Sequence, residues 1–258
     1  DNKSMAFESS YFDSLGLSVA ETELREVKRQ GDNLILKNAS LLRDKIQEEN
    51  PRELFFSYDD SSFVRLNVED MINRYVDENP IPEMHSGVII SFSNAQCFHN
   101  NTAIRKRYFP YNGNITSGDV IQIISNNYST YPVEVFNGDF AKILKVSENT
   151  ISQTAPVFVE ENGKRIRKEI TLVFRKVELI VDHFDEPFEC MIIDSLLNST
   201  NRDLTIDEMK ALYINFIIRF DEEQKSRIAN GLPVIKRYSE EFKTMMILDP
   251  FMNAMRCK

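Results

Sequence analysis

Four polar residues offer the clearest opportunity for chemistry: Ser93 and Asn94 precede a helical pattern, and Asn101 and Arg105 lie within it. Hydroxyl and amide side chains at a helix start lie beside backbone N–H groups that favour an anion. Asn101 and Arg105 are four residues apart and therefore share one helix face. This arrangement favours an anion at the helix start, although simple helix capping and a solvated helix face explain the same residues equally well.

Charge limits how strongly such contacts could act. Arg105-Lys106-Arg107 is a dense basic run, but the formal net charge of the whole chain is −9. This acidic balance argues against strong non-specific binding of nucleic acid by the chain alone. Any binding of nucleic acid is therefore expected to be weak and sensitive to salt.

A nucleotide-binding P-loop is absent, because no glycine of the sequence begins the pattern GxxxxGK[ST]. Gly113 and Gly118 have the required spacing, but Asp119 and Val120 follow in place of Lys and Ser or Thr. A carboxylate at this position would repel a nucleotide phosphate. We therefore expect this chain alone not to hydrolyse ATP.

Metal sites and nucleophilic sites are not indicated either. Cys97 and His99 are two residues apart on a predicted helix and point to different faces, so they would not chelate one ion easily. His85 and His183 have no Cys or His nearby, and no serine lies in a GxSxG pattern.

The bulk composition is typical of a soluble globular protein, with 258 residues of which 42% are apolar and 28% charged. No apolar run approaches the roughly 20 residues that a membrane span requires, and no signal peptide opens the chain. The three cysteines are far apart, which favours a reducing, cytoplasmic compartment. Because the chain begins at Asp1 and ends at Lys258 without a polar tail, we expect it to be a segment of a longer protein.

The residues before position 113 alternate between helical and strand patterns. The predicted elements are helices at 38–49 and from Asn67 onward, and short strands at 54–56 and 63–66. Val88–Phe92 is a continuous apolar run, which predicts a strand buried on both faces of a parallel sheet. Ser93 and Asn94 would cap a helix over about 95–108, so that strand, cap and helix form one α/β unit.

From about residue 113 the pattern indicates an all-β region. Gly118 and Gly138 are predicted to adopt positive φ angles at two Gly-Asp turns. Three asparagines near these turns are expected to tolerate left-handed backbone: Asn126, Asn127 and Asn137. Asn162-Gly163 predicts a hairpin between a strand near 151–160 and a longer strand from Arg165 to about Val181. One parity of the longer strand carries the residues that we expect to be buried: Val173, Val177, Leu179 and Val181.

Residues 188–247 are predicted to be helical, and the clearest helix begins at a capping box formed by Thr205 and Glu208. Apolar residues then recur at helical spacing: Met209, Leu212, Tyr213, Phe216, Ile217 and Phe220. This pattern predicts an amphipathic helix.

Several strings of the sequence resemble one known family. The run from Gly118 to Asp139, GDVIQIISNNYSTYPVEVFNGD, is similar to the start of the small barrel inserted into the second motor domain of RecD-like superfamily-1 DNA helicases. The strings ELREVKRQ (Glu23–Gln30) and ILKNASLLR (Ile35–Arg43) resemble residues that follow the first motor domain in this family. The ending DPFMNAMRCK resembles the lead-in to a later helicase motif, so the resemblance extends from about residue 14 to 258.

The resemblance implies an α/β fold class, with a partial RecA-like motor domain, an inserted SH3-like β-barrel and a helical insertion. It places the first part of the second motor domain at 1–112, joined by 248–258, the barrel at 113–187 and the helical insertion at 188–247. The P-loop would lie in the missing N-terminal motor domain of the same chain. ATP and Mg²⁺ are accordingly expected in the full-length protein and not in this segment.

The resemblance also assigns roles to individual residues. Arg29 would reach across the cleft between the motor domains toward the γ-phosphate of ATP, with Gln30 beside it. Residue type alone indicates only a solvated cation near a helix start. The residues expected to contact single-stranded DNA lie along one channel: Ser93, Asn94, Asn101 and Arg105.

Two functions remain open on the sequence. The first is a segment of an ATP-dependent DNA helicase that contributes the second wall of the ATP cleft and of the single-strand channel. The second is a non-enzymatic interaction module for nucleic acid or protein, built on the barrel. A P-loop motif upstream of Asp1 would decide for the helicase. No membrane partner is expected in either case.

Overall fold

The computed structural model of the protein describes residues 5, 8–20, 22, 33–48, 54–85, 87–161 and 163–258. These residues form two compact units, Asp1–Asn67 and Val68–Lys258. Helices and a curled antiparallel sheet together make the fold a mixed α/β one, whereas the RecA-like part of the predicted fold class stays a prediction.

The first unit contains the helices α1 (Ser9–Ser14) and α2 (Leu34–Gln47). Asn38 is buried in α2, and its side-chain amide bonds both backbone groups of Ser57, donating to O at 2.8 Å and accepting from N–H at 3.0 Å. These bonds attach the segment around Ser57 to α2, although that segment forms no strand. The strands predicted at 54–56 and 63–66 are wrong, because residues 54–67 are irregular.

The second unit begins with two packed helices, α3 (Val68–Glu78) and α4 (Asn94–Tyr108). The guanidinium of Arg107 on α4 donates two hydrogen bonds to the side-chain oxygen of Asn73 on α3, at 3.1 and 2.8 Å. The helix predicted over 95–108 is confirmed.

The strand predicted at Val88–Phe92 is wrong. These residues are irregular and pair with no strand among the residues that the structure describes, and the side chains of Val88, Ile90 and Phe92 are largely exposed. A buried parallel strand needs a neighbour on each side to bond its backbone groups. An apolar run alone supplies no such neighbour.

A curled four-stranded antiparallel sheet follows, with its strands in chain order. The strands are β1 (Val120–Gln122), β2 (Phe140–Glu161), β3 (Lys164–Val181) and β4 (Phe188–Ile193). β2 and β3 form the predicted long hairpin, in which Glu161 pairs with Lys164 across Gly163. Gly163 has a φ angle of +72°, as a tight hairpin requires. Asn162, the other residue of the predicted turn, lies outside the described residues.

The core of this half-barrel sheet, which we call the barrel, forms where β1, the start of β2 and the end of β3 curl against β4. Its fully buried side chains include Ile123, Val135, Ala141, Ile143, Leu179, Ile192 and Cys257. The C-terminal residues complete this core, because Cys257 forms a β-bridge with Ile123. Lys258 exchanges two backbone hydrogen bonds with Gln122, at 2.8 and 2.9 Å. These last residues thereby satisfy the edge of β1, and the expected joining of 248–258 with residues 1–112 stays a prediction.

The β2–β3 hairpin changes its buried face halfway along. In β3 the odd-numbered residues of 177–181 face the barrel core, whereas Leu172 and Phe174, of the opposite parity, are buried against the helices that follow. The single predicted parity therefore holds for 177–181 and is wrong at Val173. The change coincides with a register shift in β2 between residues 146 and 150.

Three helices follow the sheet: α5 (Asp194–Leu197), α6 (Ile206–Ala229) and α7 (Glu240–Leu248). The predicted capping box is confirmed, since Thr205 Oγ1 accepts from the N–H of Glu208 at 3.2 Å and the Glu208 carboxylate accepts from the N–H of Thr205 at 2.7 Å. α6 packs on the far half of the hairpin through Ala211 and on α7 around Phe242. The region 188–247 is thus mainly helical, but its first six residues form β4. No helix in the described part of the chain has both the length and the apolar character to cross a membrane.

Candidate nucleic-acid interface

The start of α4 presents three of the predicted site residues at the surface. Ser93 caps the helix, with its Oγ accepting a hydrogen bond from the N–H of Gln96 at 3.2 Å. Asn94 is the first helical residue and is exposed, and Asn101 is exposed farther along. Asn94 and Asn101 are seven residues apart and therefore lie on one helix face. The other N–H groups of the first turn have no acceptor within the helix, so this end of α4 favours an anion.

Arg105, which we predicted to contact DNA, is bonded to its own neighbours. Its Nε and Nη2 donate to the two carboxylate oxygens of Asp119, both at 2.9 Å. Nη1 donates to the carbonyl oxygen of Asn112 at 2.8 Å, and Nη2 also donates to that of Asn114. The guanidinium lies 5.5 Å from the centre of the Phe109 ring. Most donors of Arg105 are therefore used inside the protein, and its contact with DNA stays a prediction.

The remaining predicted residues divide between exposed and undescribed positions. In the basic run of α4, Lys106 is exposed, whereas Arg107 is bonded to Asn73. Arg29 and Gln30 lie outside the described residues, so their contact with ATP stays a prediction.

The two Gly-Asp turns of the barrel have the same construction. Gly118 and Gly138 have φ angles of +92° and +112°, which confirms the predicted positive φ. In each turn the aspartate N–H donates to the carbonyl oxygen three residues earlier, at 3.2 Å for Asp119 and 3.1 Å for Asp139. The carboxylate then accepts a hydrogen bond from the N–H of that earlier residue, at 2.7 Å in both turns. These two carboxylates therefore hold turns, and do not present themselves to a ligand.

The asparagines near these turns act through their side chains. Within the described residues Tyr238 is the one residue other than glycine with a positive φ, so the asparagines do not adopt the left-handed backbone that they could tolerate. Asn126 accepts a hydrogen bond from the N–H of Asn137 at 2.7 Å and donates to the hydroxyl of Tyr128 at 2.6 Å. Tyr128 lies edge-on to Phe136, with 6.0 Å between the ring centres, and both rings are exposed.

The loops around these two rings are acidic. Residues 113–139 and 182–189, which we call the acidic rim, contain seven carboxylates and neither lysine nor arginine. His183 is the one histidine of the acidic rim, and its Nδ1 lies 3.7 Å from the carboxylate of Asp139. Carboxylates repel phosphate, and the rim is therefore a poor surface for nucleic acid.

Positive charge collects on the far half of the hairpin, residues 150–173, which we call the distal hairpin. The run Lys164–Lys168 has four cations in five residues, more than the run that we selected on α4. The last two cations of the run pair with nearby carboxylates. Lys164 and Arg165 have no carboxylate partner in the part of the chain that the structure describes. Sequence reasoning missed this cluster, although the density of cations beside an Asn-Gly turn could have indicated it.

A groove of about 610 Å³ lies between the distal hairpin and α6, which also pack against each other through Ala211. The hairpin side includes Phe158 and Arg165, and the helix side includes Lys210 and Tyr213. The guanidinium of Arg165 lies 4.6 Å from the centre of the Phe158 ring, which is a cation–π contact, and Phe158 is 52% exposed. Aromatic and cationic side chains thus line the same cleft.

The described residues offer little for metal or thiol chemistry. No group of three His, Cys, Asp or Glu side chains among them is arranged to hold a metal ion. Burial raises the pKa of the Cys190 thiol to about 12, and it also raises the pKa of Cys257. Because the thiolate is the reactive form of cysteine, these two side chains act in packing.

No protein-family model matches the chain, and no curated protein matches it either. The functional interpretation therefore depends on the residues, contacts and charges described above.

Proposed function

We propose that this chain is a segment of an ATP-dependent DNA helicase of the RecD-like superfamily-1 type. In that enzyme it contributes the second wall of the ATP cleft and of the single-strand channel. The observation that carries the proposal is the pair of equivalent Gly-Asp turns at Gly118 and Gly138. They belong to the string that resembles the family's inserted barrel, and they lie at the edge of a curled four-stranded antiparallel sheet, which supports this proposal.

The start of α4 supports the contact with a single strand. Asn94 and Asn101 are exposed on one helix face, and the first-turn N–H groups other than that of Gln96 are available to a phosphate. Amide donors and backbone N–H groups bind phosphate without adding positive charge, so such contacts are compatible with a chain of net charge −9. Arg105 has a positioning role in this proposal, because it ties α4 to the first Gly-Asp turn through Asp119.

ATP and Mg²⁺ would be held mainly by the missing N-terminal motor domain. In P-loop enzymes the metal is bound by the Ser or Thr of the P-loop and by an Asp of a second motif, and this sequence has no P-loop. Arg29 would supply a planar guanidinium to the γ-phosphate, where positive charge stabilises the transition state. Gln30 would contact the nucleotide beside it.

Substitution of Arg29 in the full-length protein tests the proposal. We expect Arg29→Ala to lower kcat for DNA-stimulated ATP hydrolysis by about 10³- to 10⁵-fold, as the loss of such an arginine does in other NTPases. Lys28→Ala removes the adjacent cation and should keep normal turnover. Normal turnover of Arg29→Ala would remove Arg29 from the mechanism, and ATP hydrolysis by the present chain alone would contradict the division of labour between the two domains.

The alternative is a non-enzymatic interaction module built on the barrel, and one observation favours it. Tyr128 and Phe136 expose two adjoining rings within the acidic rim, which suits a cationic protein better than a nucleic acid. Two results together would favour this module: the full-length protein has no upstream P-loop, and the variant Phe136→Ser no longer binds a protein partner. Retained DNA-stimulated ATP hydrolysis in Phe136→Ser would decide for the helicase.

A further inference from the structure

The distal hairpin has little sheet around it. β1 pairs with β2 at residues 140–142 and β4 pairs with β3 at 174–179, both close to the barrel. Beyond these pairs the hairpin is a two-stranded ribbon that packs on α6 through Ala211 and Ile214. An isolated two-stranded ribbon is marginal in water, so this helix contact stabilises it. The margin between ribbon and helix remains open as the groove described above.

The groove combines the two kinds of side chain that bind a single strand without regard to sequence. Phe158 and Tyr213 provide rings on which bases stack, and Arg165 and Lys210 provide cations for phosphates. Arg165 lies over one face of the Phe158 ring, where its guanidinium keeps donors for a phosphate. Lys210 pairs with Asp207 at 2.8 Å, so Arg165 is the main cation of the groove.

The distribution of charge favours a polyanion at the hairpin over one at the barrel. The distal hairpin contains four Lys or Arg and three Asp or Glu, whereas the acidic rim contains seven carboxylates and no Lys or Arg. Phosphate would be attracted to the first surface and repelled by the second. Glu160 is opposite Arg165 in the backbone register of the hairpin, without an ion pair between the two side chains, and it also lines the groove. It is therefore the carboxylate that most opposes such binding.

We propose that this groove binds single-stranded nucleic acid, with Phe158 as a base-stacking surface and Arg165 as a phosphate contact. The site is separate from the start of α4 and goes beyond the proposed function, because the groove would hold a strand whether or not the chain belongs to a helicase. Two rings provide stacking for about two bases, which limits the affinity to the weak, non-specific range.

Binding of a fluorescent oligothymidylate to the full chain, followed by anisotropy, tests the stacking surface. Phe158→Ala should weaken binding by about 5- to 150-fold, the effect of losing one base–aromatic stack. Phe158→Tyr keeps the ring and should retain the affinity. Phe136→Ala is the matched control, since it removes an exposed ring from the acidic rim and should leave the affinity unchanged.

The salt dependence of the same binding tests the phosphate contact. Arg165→Gln should reduce the slope of log K against log[salt] by about 0.7, the value for one phosphate contact of a single strand. Lys176→Gln is the matched control, because it removes one charge from the same strand close to the barrel. An equal change in both variants would show a general charge effect and would overturn the assignment of Arg165.

Other outcomes also overturn the proposal. If Phe158→Ala binds the oligonucleotide with wild-type affinity, the proposal is wrong. If polyglutamate of the same total charge displaces the oligonucleotide, the groove binds acidic proteins and the proposal is also wrong. Urea unfolding of each variant checks that a loss of binding comes from the groove. The double variant Asn94→Ala, Asn101→Ala tests α4 separately. If only the α4 variant loses binding, the hairpin site is wrong and the proposed channel on α4 is supported. If only the hairpin variants lose binding, the hairpin site is supported and the α4 channel is not.

Discussion

The basic run on α4 and the basic run on the distal hairpin are similar in sequence, but the fold gives their arginines opposite environments. The side chain of Arg105 is 28% exposed and is bonded to a buried carboxylate and two carbonyl oxygens. Arg165 is exposed and contacts one aromatic ring, with no carboxylate partner in the described parts of the chain. Arg105 lies beside a loop that offers acceptors, whereas Arg165 projects from a ribbon.

This contrast shows that a dense group of cations does not by itself identify a surface for nucleic acid. Donors that are already bonded within the protein are not available to a phosphate without first breaking those bonds. The unpaired donors of Arg165 meet this condition and most of those of Arg105 do not. The contributions of the two arginines to the free energy of unfolding should therefore differ as sharply as their contacts do.

Removal of each arginine should affect stability very differently. Arg105→Ala leaves the buried carboxylate of Asp119 without its cation, and we expect a loss of about 2 to 3 kcal/mol. Breaking a fully buried ion pair costs about 3 to 5 kcal/mol. The expected loss is smaller here because Arg105 is partly exposed. Arg165→Ala should change stability by about 0.5 kcal/mol or less, as surface substitutions do. The free energy of unfolding in urea measures both, and equal losses would contradict the comparison.

A double variant separates the pair from its neighbours. Arg105→Met combined with Asp119→Asn removes both charges and keeps a side-chain oxygen for the N–H of Thr116. It should recover much of the stability that Arg105→Ala loses, since no unpaired carboxylate stays buried. Failure to recover would indicate that the bonds of Arg105 to Asn112 and Asn114 matter more than the ion pair.

Thiol labelling locates the part of the molecule in which stability is lost. Cys257 lies in the barrel core and reacts only when the core opens, so the labelling rate reports that opening. Arg105→Ala should speed labelling of Cys257 by about 30- to 160-fold, if the Arg105–Asp119 pair and the barrel open together, and Arg165→Ala by about twofold or less. Unchanged labelling in Arg105→Ala would show that α4 detaches while the barrel stays closed.

The pH of this measurement follows from the buried thiols. Burial raises the pKa of Cys190 from 9.0 to about 12, so its contribution to stability is complete below the unfolded value. That contribution is lost as the pH rises from 9.0 toward about 12. Labelling at about pH 8 avoids this loss, whereas above pH 9.0 the barrel should become less stable in every variant.

Two glycines allow a smaller test of the same contrast. Gly118 and Gly163 have φ angles of +92° and +72°, and Ala at either position adopts a left-handed backbone that costs about 1 to 2 kcal/mol. Gly118→Ala should reach the upper end, because its turn also positions Asp119 for Arg105. Gly163→Ala should stay near the lower end, since no atom lies within 4 Å of the added methyl group. Urea midpoints measure both, and the reverse order would count against a stabilising role of the Arg105–Asp119 pair.

Local rules predicted those elements whose determinants lie close together in sequence. The capping box at Thr205 and Glu208, helix α4 with its Ser93 cap and the positive φ of Gly118 and Gly138 all agree with the structure. In each case the deciding bonds join residues about three positions apart. Such bonds form whatever the rest of the chain does.

Long-range neighbours explain the failures. The run at Val88–Phe92 has the composition of a buried strand, but no strand of the described residues lies beside it. The parity of β3 reverses before residue 177 because the barrel core lies on one face and α6 on the other. The role of Arg105 depends on Asp119, which is fourteen residues away. None of these neighbours is visible in the local pattern.

The sequence by itself determined the turns, the caps, the long hairpin and the strings that resemble a helicase, because these depend on residue type and short spacing. Only the tertiary structure decided which cations are bonded inside the protein and which remain open. Arg105 meets a buried carboxylate, whereas Arg165 meets a groove between the hairpin and α6. The physical reason is that the availability of a charge depends on the partners that folding brings within bonding distance.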